Sequence, residues 1–323
     1  MSRDTPTGDT ETARAFSESW NRVGEGSVYS EEQFLEWFEP LDPAELEGKD
    51  VLELGFGNGS LLYHVGQRKP RRLAGVELGD TLEQTRRNLV GLREGMLELH
   101  RGDLCKIDLG QFDVVYCIGV LHHLEDPQEG FRSVLRHVRP GGKFHCWVYA
   151  WEGNWIVRTL VEPLRRLGSR IPWWLTKYGL ALPLAIPFFL YSKFVAGVSG
   201  IGGQLRRLPL FEYSCWIAPR PFAFFRHVAF DQLVTPRTAY VDRQTLEKWL
   251  MNERVDPGSR YLIFRNGNSW KFGGRVRSEI PSSEGIVSKV RFEKPNGERR
   301  TQNEENKAGG FRVFLRLFSL FSF

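Results

Sequence analysis

The sequence predicts an α/β fold: a doubly wound parallel sheet with a helical, aromatic-rich insertion after its fifth strand. Between residues 50 and 150, short apolar runs alternate with helical patterns, which is typical of strands and crossover helices. A glycine-rich loop directly follows the first of these runs. At residue 151 the composition changes abruptly. The chain has 323 residues and 41% apolar side chains, enough for one large domain with additions.

The elements follow in a regular order. Each predicted strand is a short apolar run, and helical segments separate the runs. After the insertion, a helix over residues 242–253 and a hairpin around Asn266-Gly267 complete the sheet. The five strands before the insertion are predicted at residues 51–54, 73–78, 96–100, 112–118 and 143–149.

Five regions are predicted along the chain. The last of them is rich in Gly, Ser, Asn, Glu and Lys, and its final residues place Phe311, Phe314, Phe318 and Phe321 at a spacing compatible with a short basic amphipathic helix. The regions are an N-terminal helical segment (1–49), the core (50–150), the insertion or lid (151–234), the completion of the core (235–275) and a flexible tail (276–323).

Charge is distributed unevenly. Residues 1–50 carry a net charge of −9, whereas residues 51–323 carry +14, of which the insertion holds +6. The positive charge forms no obvious DNA-binding stripe, so we expect no nucleic-acid partner.

The sequence favours a cytoplasmic protein. Its four cysteines form no CxxC pair, as expected in a reducing compartment. The first twelve residues are polar and acidic, unlike a secretory signal. The longest uncharged apolar run, residues 178–192, contains two prolines and is shorter than the roughly 20 residues that span a bilayer. We therefore expect no transmembrane helix.

Glycines at alternate positions, Gly55, Gly57 and Gly59, follow the first strand. Without side chains, this backbone can turn tightly and approach a ligand. Glu77 ends the second strand, where a carboxylate can accept hydrogen bonds from ribose hydroxyls. Glu53 precedes the loop, where it would repel a pyrophosphate but attract an ammonium or sulfonium group. The loop therefore indicates a nucleoside cofactor, and its spacing departs from the dinucleotide pattern G-x-G-x-x-G.

This loop resembles motif I of the class I S-adenosylmethionine-dependent methyltransferases, which have a Rossmann-like fold. The run Phe112–Pro127 is similar to the family's fourth-strand motif, and residues 138–143 are similar to the turn before strand five. The resemblance implies that Asp103 contacts the adenine amino group and that the backbone around Gly119 lies near the methionine part of S-adenosyl-L-methionine.

The flanks resemble the family more loosely. Residues 34–38 look like part of the N-terminal helices that cover the cofactor in many small-molecule methyltransferases. Residues 230–237, with Tyr240, resemble a segment that follows the insertion in methyltransferases of glycan and natural-product pathways.

Two histidines, His122 and His123, lie just past the fourth strand, at the edge where open α/β sheets bind ligands. Either imidazole is a candidate base for an acceptor hydroxyl; the alternative is that one of them only orients the loop backbone. No third ligand is obvious, so we expect no metal.

Aromatic and basic side chains concentrate in the insertion, which holds 16 of the chain's 42 aromatic residues. Buried core or cap packing is the ordinary role for such a cluster, and an apolar acceptor pocket is the alternative. The basic residues are either a solvated face or a surface for an anionic, partly apolar acceptor or a membrane. The tryptophans concerned are Trp147, Trp151, Trp155, Trp173 and Trp174.

Together these features predict methyl transfer to a small-molecule, glycan or lipid-like acceptor. The alternatives are a nicotinamide-dependent oxidoreductase, which shares the fold, and a non-catalytic cofactor-binding module. An RNA methyltransferase is disfavoured because the fourth strand runs into Gly119-Val120-Leu121-His122 rather than an Asn-Pro-Pro-Tyr-type motif.

Overall fold

An eight-stranded mixed sheet organises the computed structural model, which describes residues 8–20, 29–93, 95–198, 206–278 and 291–292. The strand order is β3-β2-β1-β4-β5-β7-β6-β8. The first five strands are parallel, and β7 is antiparallel to both β5 and β6. The strands are β1 (Asp50–Leu54), β2 (Arg72–Glu77), β3 (Leu97–Arg101), β4 (Phe112–Ile118), β5 (Val138–Tyr149), β6 (Tyr261–Arg265), β7 (Ser269–Arg275) and β8 (Arg291–Phe292).

Helices cover both faces of this sheet, as the doubly wound prediction requires. The helices before the insertion are α1 (Gly8–Trp20), α2 (Glu31–Phe38), α3 (Ser60–Gly66), α4 (Leu82–Asn88) and α5 (Pro127–His137). The later ones are α6 (Glu162–Gly168), α7 (Trp173–Leu175), α8 (Leu182–Val198), α9 (Phe211–Ile217), α10 (Phe222–Val234) and α11 (Arg243–Leu250).

The central strands are apolar because both faces are covered. Every residue of β4 is buried, which is why it reads as a continuous apolar run without alternation. On one face Phe131 of α5 stacks on Trp249 of α11, with ring centroids 5.5 Å apart. On the other face Phe34 and Phe38 of α2 are fully buried. These layers hold the carboxyl ends of the strands in fixed positions.

The sheet departs from the predicted one at an edge and in one strand. Residues 291–292, within the predicted tail, pair with β6 as the short strand β8. Strand β5 begins at Val138, before the predicted start, because Val138 already pairs with Phe112. The predicted amphipathic segment, residues 311–321, lies outside the described residues.

A continuous helix, Trp173–Val198, is the longest element between β5 and α11. It comprises α7, a π-helical stretch Thr176–Ala181 and α8. With 26 residues it is, by length and composition alone, the one candidate for a membrane crossing in the part of the chain that is described. The length argument against such a segment is therefore wrong, because charged Lys177 and Lys193 are included in the helix beyond the uncharged run.

Candidate active site

A cavity of about 1100 Å³ lies at the carboxyl ends of the parallel strands. Its wall combines residues from the ends of β1, β2, β4 and β5 with side chains of the N-terminal helices and of the helices after β5. Open α/β sheets bind ligands at this edge. Among the predicted site residues, those that line the cavity are Glu53, Gly55, Gly57, Glu77, Asp103, Gly119 and His123.

The glycine loop needs its glycines for geometric reasons. Gly55 has φ +84°, and a Cβ atom there would lie 2.3 Å from Cγ2 of Val120. Gly59 has φ +79° and is the N-cap residue of α3, so its backbone directs the chain into that helix. A Cβ atom on Gly59 would lie 2.6 Å from Cγ2 of Thr85. Gly59 therefore shapes the turn and does not line the cavity, and its contact with the cofactor stays a prediction.

Glu77 holds the loop in place. Its Oε2 accepts a hydrogen bond from the Gly57 N–H at 2.9 Å, and its Oε1 accepts one from the Gly79 N–H at 2.8 Å. A carboxylate has about four lone-pair sites, so capacity remains for two ribose hydroxyls. Burial raises the pKa of Glu77, and the backbone hydrogen bonds oppose that shift. The residue predicted to bind ribose therefore also holds the glycine loop in position through these two hydrogen bonds.

Glu53 is a buried carboxyl group beneath the same loop. The hydroxyl of Tyr116 donates to its Oε2 at 2.9 Å. Burial raises the pKa of Glu53 to about 8, and the nearby carboxylate of Glu77 acts in the same direction. Such a group gains most from a cationic ligand, because a positive charge would favour its ionised form. This environment fits the ammonium and sulfonium groups expected from the sequence.

Asp103 and Gly119 flank the loop. Oδ1 of Asp103 accepts a hydrogen bond from the Cys105 N–H at 2.8 Å, and its other oxygen lies 3.2 Å from Nζ of Lys106. Gly119 has φ +79° and donates its N–H to the carbonyl of Trp147 at 3.1 Å. Both residues lie where the resemblance puts them, past β3 and β4 and beside the cavity.

The two histidines have different surroundings. His122 is fully buried, does not line the cavity, and neither of its ring nitrogens has a hydrogen-bond partner among the described residues. Burial lowers its pKa well below the ordinary value. The geometry favours His123 over His122 as the candidate base, because the 3-10 turn Leu121–His123 directs the ring of His122 against His123 and Tyr149.

His123 lines the cavity and has a defined tautomer. Its Nδ1 lies 2.9 Å from the carbonyl oxygen of Arg237, so Nδ1 carries the proton and Nε2 keeps a lone pair. Burial lowers the pKa of His123 to about 4. At neutral pH the ring is thus always in the form that accepts a hydrogen bond, although it is a weak base.

Several polar residues of the cavity were not predicted. Nε2 of Gln232 donates to the hydroxyl of Tyr149 at 2.9 Å, and Tyr240 stacks on Tyr149 with centroids 6.2 Å apart. All three side chains line the cavity near His123. Tyr149 ends β5, so the rule that ligands bind at strand ends would have found it. Gln232 and Tyr240 lie within the segment whose weaker resemblance was noted, but nothing in their spacing indicates contact with β5.

The N-terminal helix α1 closes the cofactor end of the cavity. Its Ser17 hydroxyl accepts a hydrogen bond from the Asp80 N–H at 2.9 Å, just after Glu77. Phe16 meets His123 edge-on, with ring centroids 5.0 Å apart. Four residues of α1 line the cavity, so the acidic N-terminal region covers the site.

Lys271 places a buried cation in the cavity wall. It is 1% exposed and lines the cavity, and its amine donates to the carbonyl of Glu36. Burial lowers the pKa of Lys271 to about 8, so the amine is largely charged at neutral pH. No sequence pattern singled out this lysine, because its position depends on the hairpin meeting α2.

Most of the tryptophans are not where the sequence suggested. Trp147 lines the cavity. Trp151, Trp155, Trp173 and Trp174 are 53%, 40%, 37% and 53% exposed, respectively. Neither core packing nor a pocket lining therefore describes these four side chains, which lie at the protein surface.

Comparisons with known proteins agree with this geometry. Residues 52–146 match a family model described as a methyltransferase domain. An uncharacterized protein of Synechococcus sp. is 30% identical over 68% of this chain and 49% of its own length. A ubiquinone biosynthesis O-methyltransferase of Bordetella avium is 32% identical over 36% of this chain and 46% of its own. The chain thus spans about half the length of these curated relatives.

Two solved methyltransferase structures are similar to parts of this chain at low TM-scores. A magnesium protoporphyrin IX methyltransferase from Synechocystis PCC 6803, solved with bound S-adenosylhomocysteine, matches 81% of this chain and 94% of its own at 14% identity and a TM-score of 0.43. A methyltransferase from Mesorhizobium loti matches 33% of this chain and 48% of its own at 27% identity and a TM-score of 0.30.

The glycine loop and the ends of β1, β2 and β4 that line the cavity lie within the segment that matches a methyltransferase domain, residues 52–146. That segment is similar to S-adenosylmethionine-dependent methyltransferases, which makes S-adenosylmethionine the cofactor to be tested against the site. The residues present fit that group: Glu53 for the cationic part, Glu77 for the ribose and the bare glycine backbone for close approach.

Proposed function

We propose that this protein transfers a methyl group from S-adenosylmethionine to an apolar, lipid-like acceptor that carries a polar reactive group. One observation supports this most strongly: a single cavity joins the glycine loop to a chamber walled by the helices after β5. The apolar residues of that chamber include Val157, Leu160, Leu164, Leu184, Phe188, Phe225 and Val228.

The lining favours an apolar acceptor over a free glycan. A sugar needs a hydrogen-bond partner for most of its hydroxyls, because burying an unpaired hydroxyl costs about 1–3 kcal/mol. The chamber offers mainly aliphatic and aromatic surface, and the polar groups of Tyr149 and Gln232 lie beside His123. An acceptor with an apolar tail and one polar end matches that division.

The chain's own contribution is positioning and the exclusion of water. The bound cofactor supplies an activated methyl group, so alignment of the acceptor accounts for much of the expected rate. His123, Tyr149 and Gln232 lie together where the acceptor's polar end would meet the cofactor side of the cavity. Lys271 gives the same cavity a positive charge, which suits an anionic acceptor.

The names of the curated relatives indicate which kind of atom to test as the methyl acceptor. Several are ubiquinone biosynthesis O-methyltransferases, and we propose an oxygen acceptor here as well. A neutral His123 with a free Nε2 supports this, since it can accept a hydrogen bond from an acceptor hydroxyl. The low pKa of His123 favours an acidic hydroxyl, such as a phenol, which needs little help to lose its proton.

A series of phenols that differ only in the length of their apolar tail tests this proposal. We expect kcat/KM for methyl transfer to rise as the tail fills the chamber, by up to about tenfold for each pair of buried CH₂ groups. The rate is measured as labelled methyl incorporated from S-adenosylmethionine. If the shortest, tail-free phenols are the best substrates, or only free sugars are methylated, the apolar acceptor is excluded.

Filling the chamber should affect long acceptors only. Val228→Trp adds an indole to the cavity wall, and we expect at least about a tenfold rise in KM for the longest-tailed phenol, because a tail of that length loses buried area. The affinity for S-adenosylhomocysteine should not change. Ala223→Trp, on the exposed side of the same helix, is the matched control. Equal effects of the two variants would contradict the assignment of the chamber.

Replacing His123 tests the polar end. We expect His123→Ala to lower kcat by about 10²-fold, the lower range for proton-transfer or hydroxyl-orienting groups, with little change in S-adenosylhomocysteine affinity. Because the pKa of His123 is about 4, the wild-type rate should show no inflection near pH 6.5 from this residue. The assignment of His123 to the acceptor's polar end would be contradicted if His122→Ala lowered kcat equally, or if His123→Ala left kcat unchanged.

A further inference from the structure

An exposed apolar ridge runs along the helix Trp173–Val198. Its members lie four or eight residues apart, and such spacings bring side chains to neighbouring positions on a helix. Trp174, Tyr178, Leu190 and Phe194 are 53%, 52%, 51% and 57% exposed, respectively, and Ile186 between them is 47% exposed. We call these five residues the ridge. So many large apolar side chains at one surface mark an interaction site rather than ordinary surface variation.

The opposite side of this helix is tied to the rest of the protein. Ala181 is fully buried against Phe230 and Leu233 of α10. Ala185 packs against Ile217 of α9 and Phe225 of α10. A helix held by such contacts lies along the protein surface, and crossing a bilayer would require it to leave α9 and α10. The ridge is therefore suited to a surface contact and not to a membrane crossing.

The helix that carries the ridge and the segment just before it carry charge of one sign. Residues 163–198 contain five basic and no acidic side chains. Of the basic ones, Arg165 is fully buried, whereas Arg166, Arg170 and Lys193 are exposed. Near the start of the helix, buried Thr176 donates to the carbonyl of Gly168 at 2.7 Å, which fixes the end of α6 against the packed side of the helix and leaves Arg166 and Arg170 exposed. Apolar side chains with a basic border complement a bilayer surface that contains anionic lipids.

The ridge and the acceptor chamber share side chains. Ile186, Leu190 and Phe194 are exposed and also line the cavity. An apolar tail could therefore move between a bilayer and the chamber along these three side chains, without its whole length passing through water. Because the cavity wall continues into the ridge, a bilayer fits this surface better than a folded protein partner.

We infer that the ridge rests on the surface of a lipid bilayer containing anionic lipids, and that the acceptor's tail enters the chamber from that bilayer. This inference rests on the proposed apolar acceptor. The docked helix lies in the interfacial plane, with Trp174 and Tyr178 at the headgroup level that amphipathic aromatic rings favour.

Flotation of the full chain with vesicles tests the inference. We expect binding to vesicles of phosphatidylcholine mixed with phosphatidylglycerol, and weaker binding to phosphatidylcholine alone. The double variant Trp174→Glu/Tyr178→Glu should lose at least about tenfold in vesicle affinity, since two aromatic side chains leave the bilayer. Neither residue lines the cavity, so S-adenosylhomocysteine affinity should be unchanged, which also shows that the variant is folded.

Two sets of matched substitutions exclude other surfaces. Val90→Glu/Met251→Glu changes apolar residues that are 78% and 60% exposed elsewhere and should leave vesicle binding intact. Phe314→Glu/Phe318→Glu tests the C-terminal segment. Loss of binding in either of these variants, with none in the ridge variant, would overturn the inference. So would a wild-type dimer in sedimentation that the ridge variant dissociates, because the ridge would then contact a second copy.

The inference and the proposed function can fail separately. Flotation requires no methyl transfer, and methylation of detergent-solubilised tailed phenols requires no vesicle. Wild-type protein that methylates these phenols but binds no vesicle of either composition overturns membrane docking and leaves the proposed function standing. Protein that floats but methylates no tailed phenol contradicts the proposed acceptor and leaves docking of the ridge in place.

Discussion

Replacing Glu77 with alanine is expected to weaken S-adenosylhomocysteine binding by at least about 100-fold. The change removes the proposed acceptor of both ribose hydroxyls, and hydrogen bonds to a charged group contribute about 1.5–3 kcal/mol each. It also removes the hydrogen-bond acceptor of the Gly57 and Gly79 N–H groups, so the glycine loop is no longer held in position by this side chain. Isothermal calorimetry measures the affinity directly.

The comparison needs a second variant and a control. Glu77→Gln keeps the size of the side chain and one good acceptor, and should retain more affinity than alanine while still losing about tenfold. Glu83→Ala, at an exposed position on α4 with its side chain 83% accessible, should bind like the wild type. If Glu77→Ala is folded and binds within twofold of the wild type, the ribose has been misplaced.

Cofactor binding is expected to release protons near neutral pH. In the free protein Glu53 has a pKa of about 8 because it is buried, so it is mostly protonated at pH 7. A cationic group beside it would favour the carboxylate, and up to one proton would leave. Calorimetry in buffers with different ionisation enthalpies measures this release. We expect a release that Glu53→Gln abolishes, and affinity for S-adenosylmethionine that rises with pH up to about 8.

The same group should affect the stability of the free protein. Its folded pKa of about 8 lies above the ordinary carboxyl value of 4.5. The contribution of protonated Glu53 to the free energy of unfolding is therefore fully present below about pH 4.5 and is lost as the pH rises through about 8. Between these two pH values the free energy of unfolding falls by about 1.4 kcal/mol for each pH unit. The difference in unfolding free energy between wild type and Glu53→Gln should change with pH in this direction. A difference that is constant between pH 5 and pH 9 would contradict the buried, protonated state.

Local sequence was sufficient to predict that the glycine loop, Glu53 and Glu77 lie together beside the cavity. The glycine loop, Glu53 and Glu77 lie next to strands whose apolar runs are unmistakable, and parallel strands bring their carboxyl ends to one edge. Gly59 was the exception, since it turns the chain toward α3 and faces Thr85. His122 lies away from the cavity for a similar reason, because a single 3-10 turn decides which of two adjacent rings faces the cavity.

The acceptor half depends on contacts between distant segments. Gln232 meets Tyr149 across 83 positions, and Lys271 meets Glu36 across 235. No periodicity carries that information. The exposed side of the insertion also could not be predicted from the sequence. Its composition indicates an aromatic, basic segment, but the packing of the long helix on α9 and α10 decides which side of that helix is exposed. Small residues such as Ala181 and Ala185 form the packed side, and the large ones remain outside.

The central claim is that one cavity holds both the cofactor and an apolar acceptor. A single-turnover experiment tests it most directly, by measuring methyl transfer from enzyme-bound S-adenosylmethionine to the longest-tailed phenol. We expect labelled methyl in the organic-soluble product, at a rate constant that His123→Ala lowers by about 10²-fold and that Glu83→Ala does not change. A protein that binds S-adenosylhomocysteine yet transfers no methyl group to any tailed phenol, while methylating a polar acceptor, would contradict the proposed function.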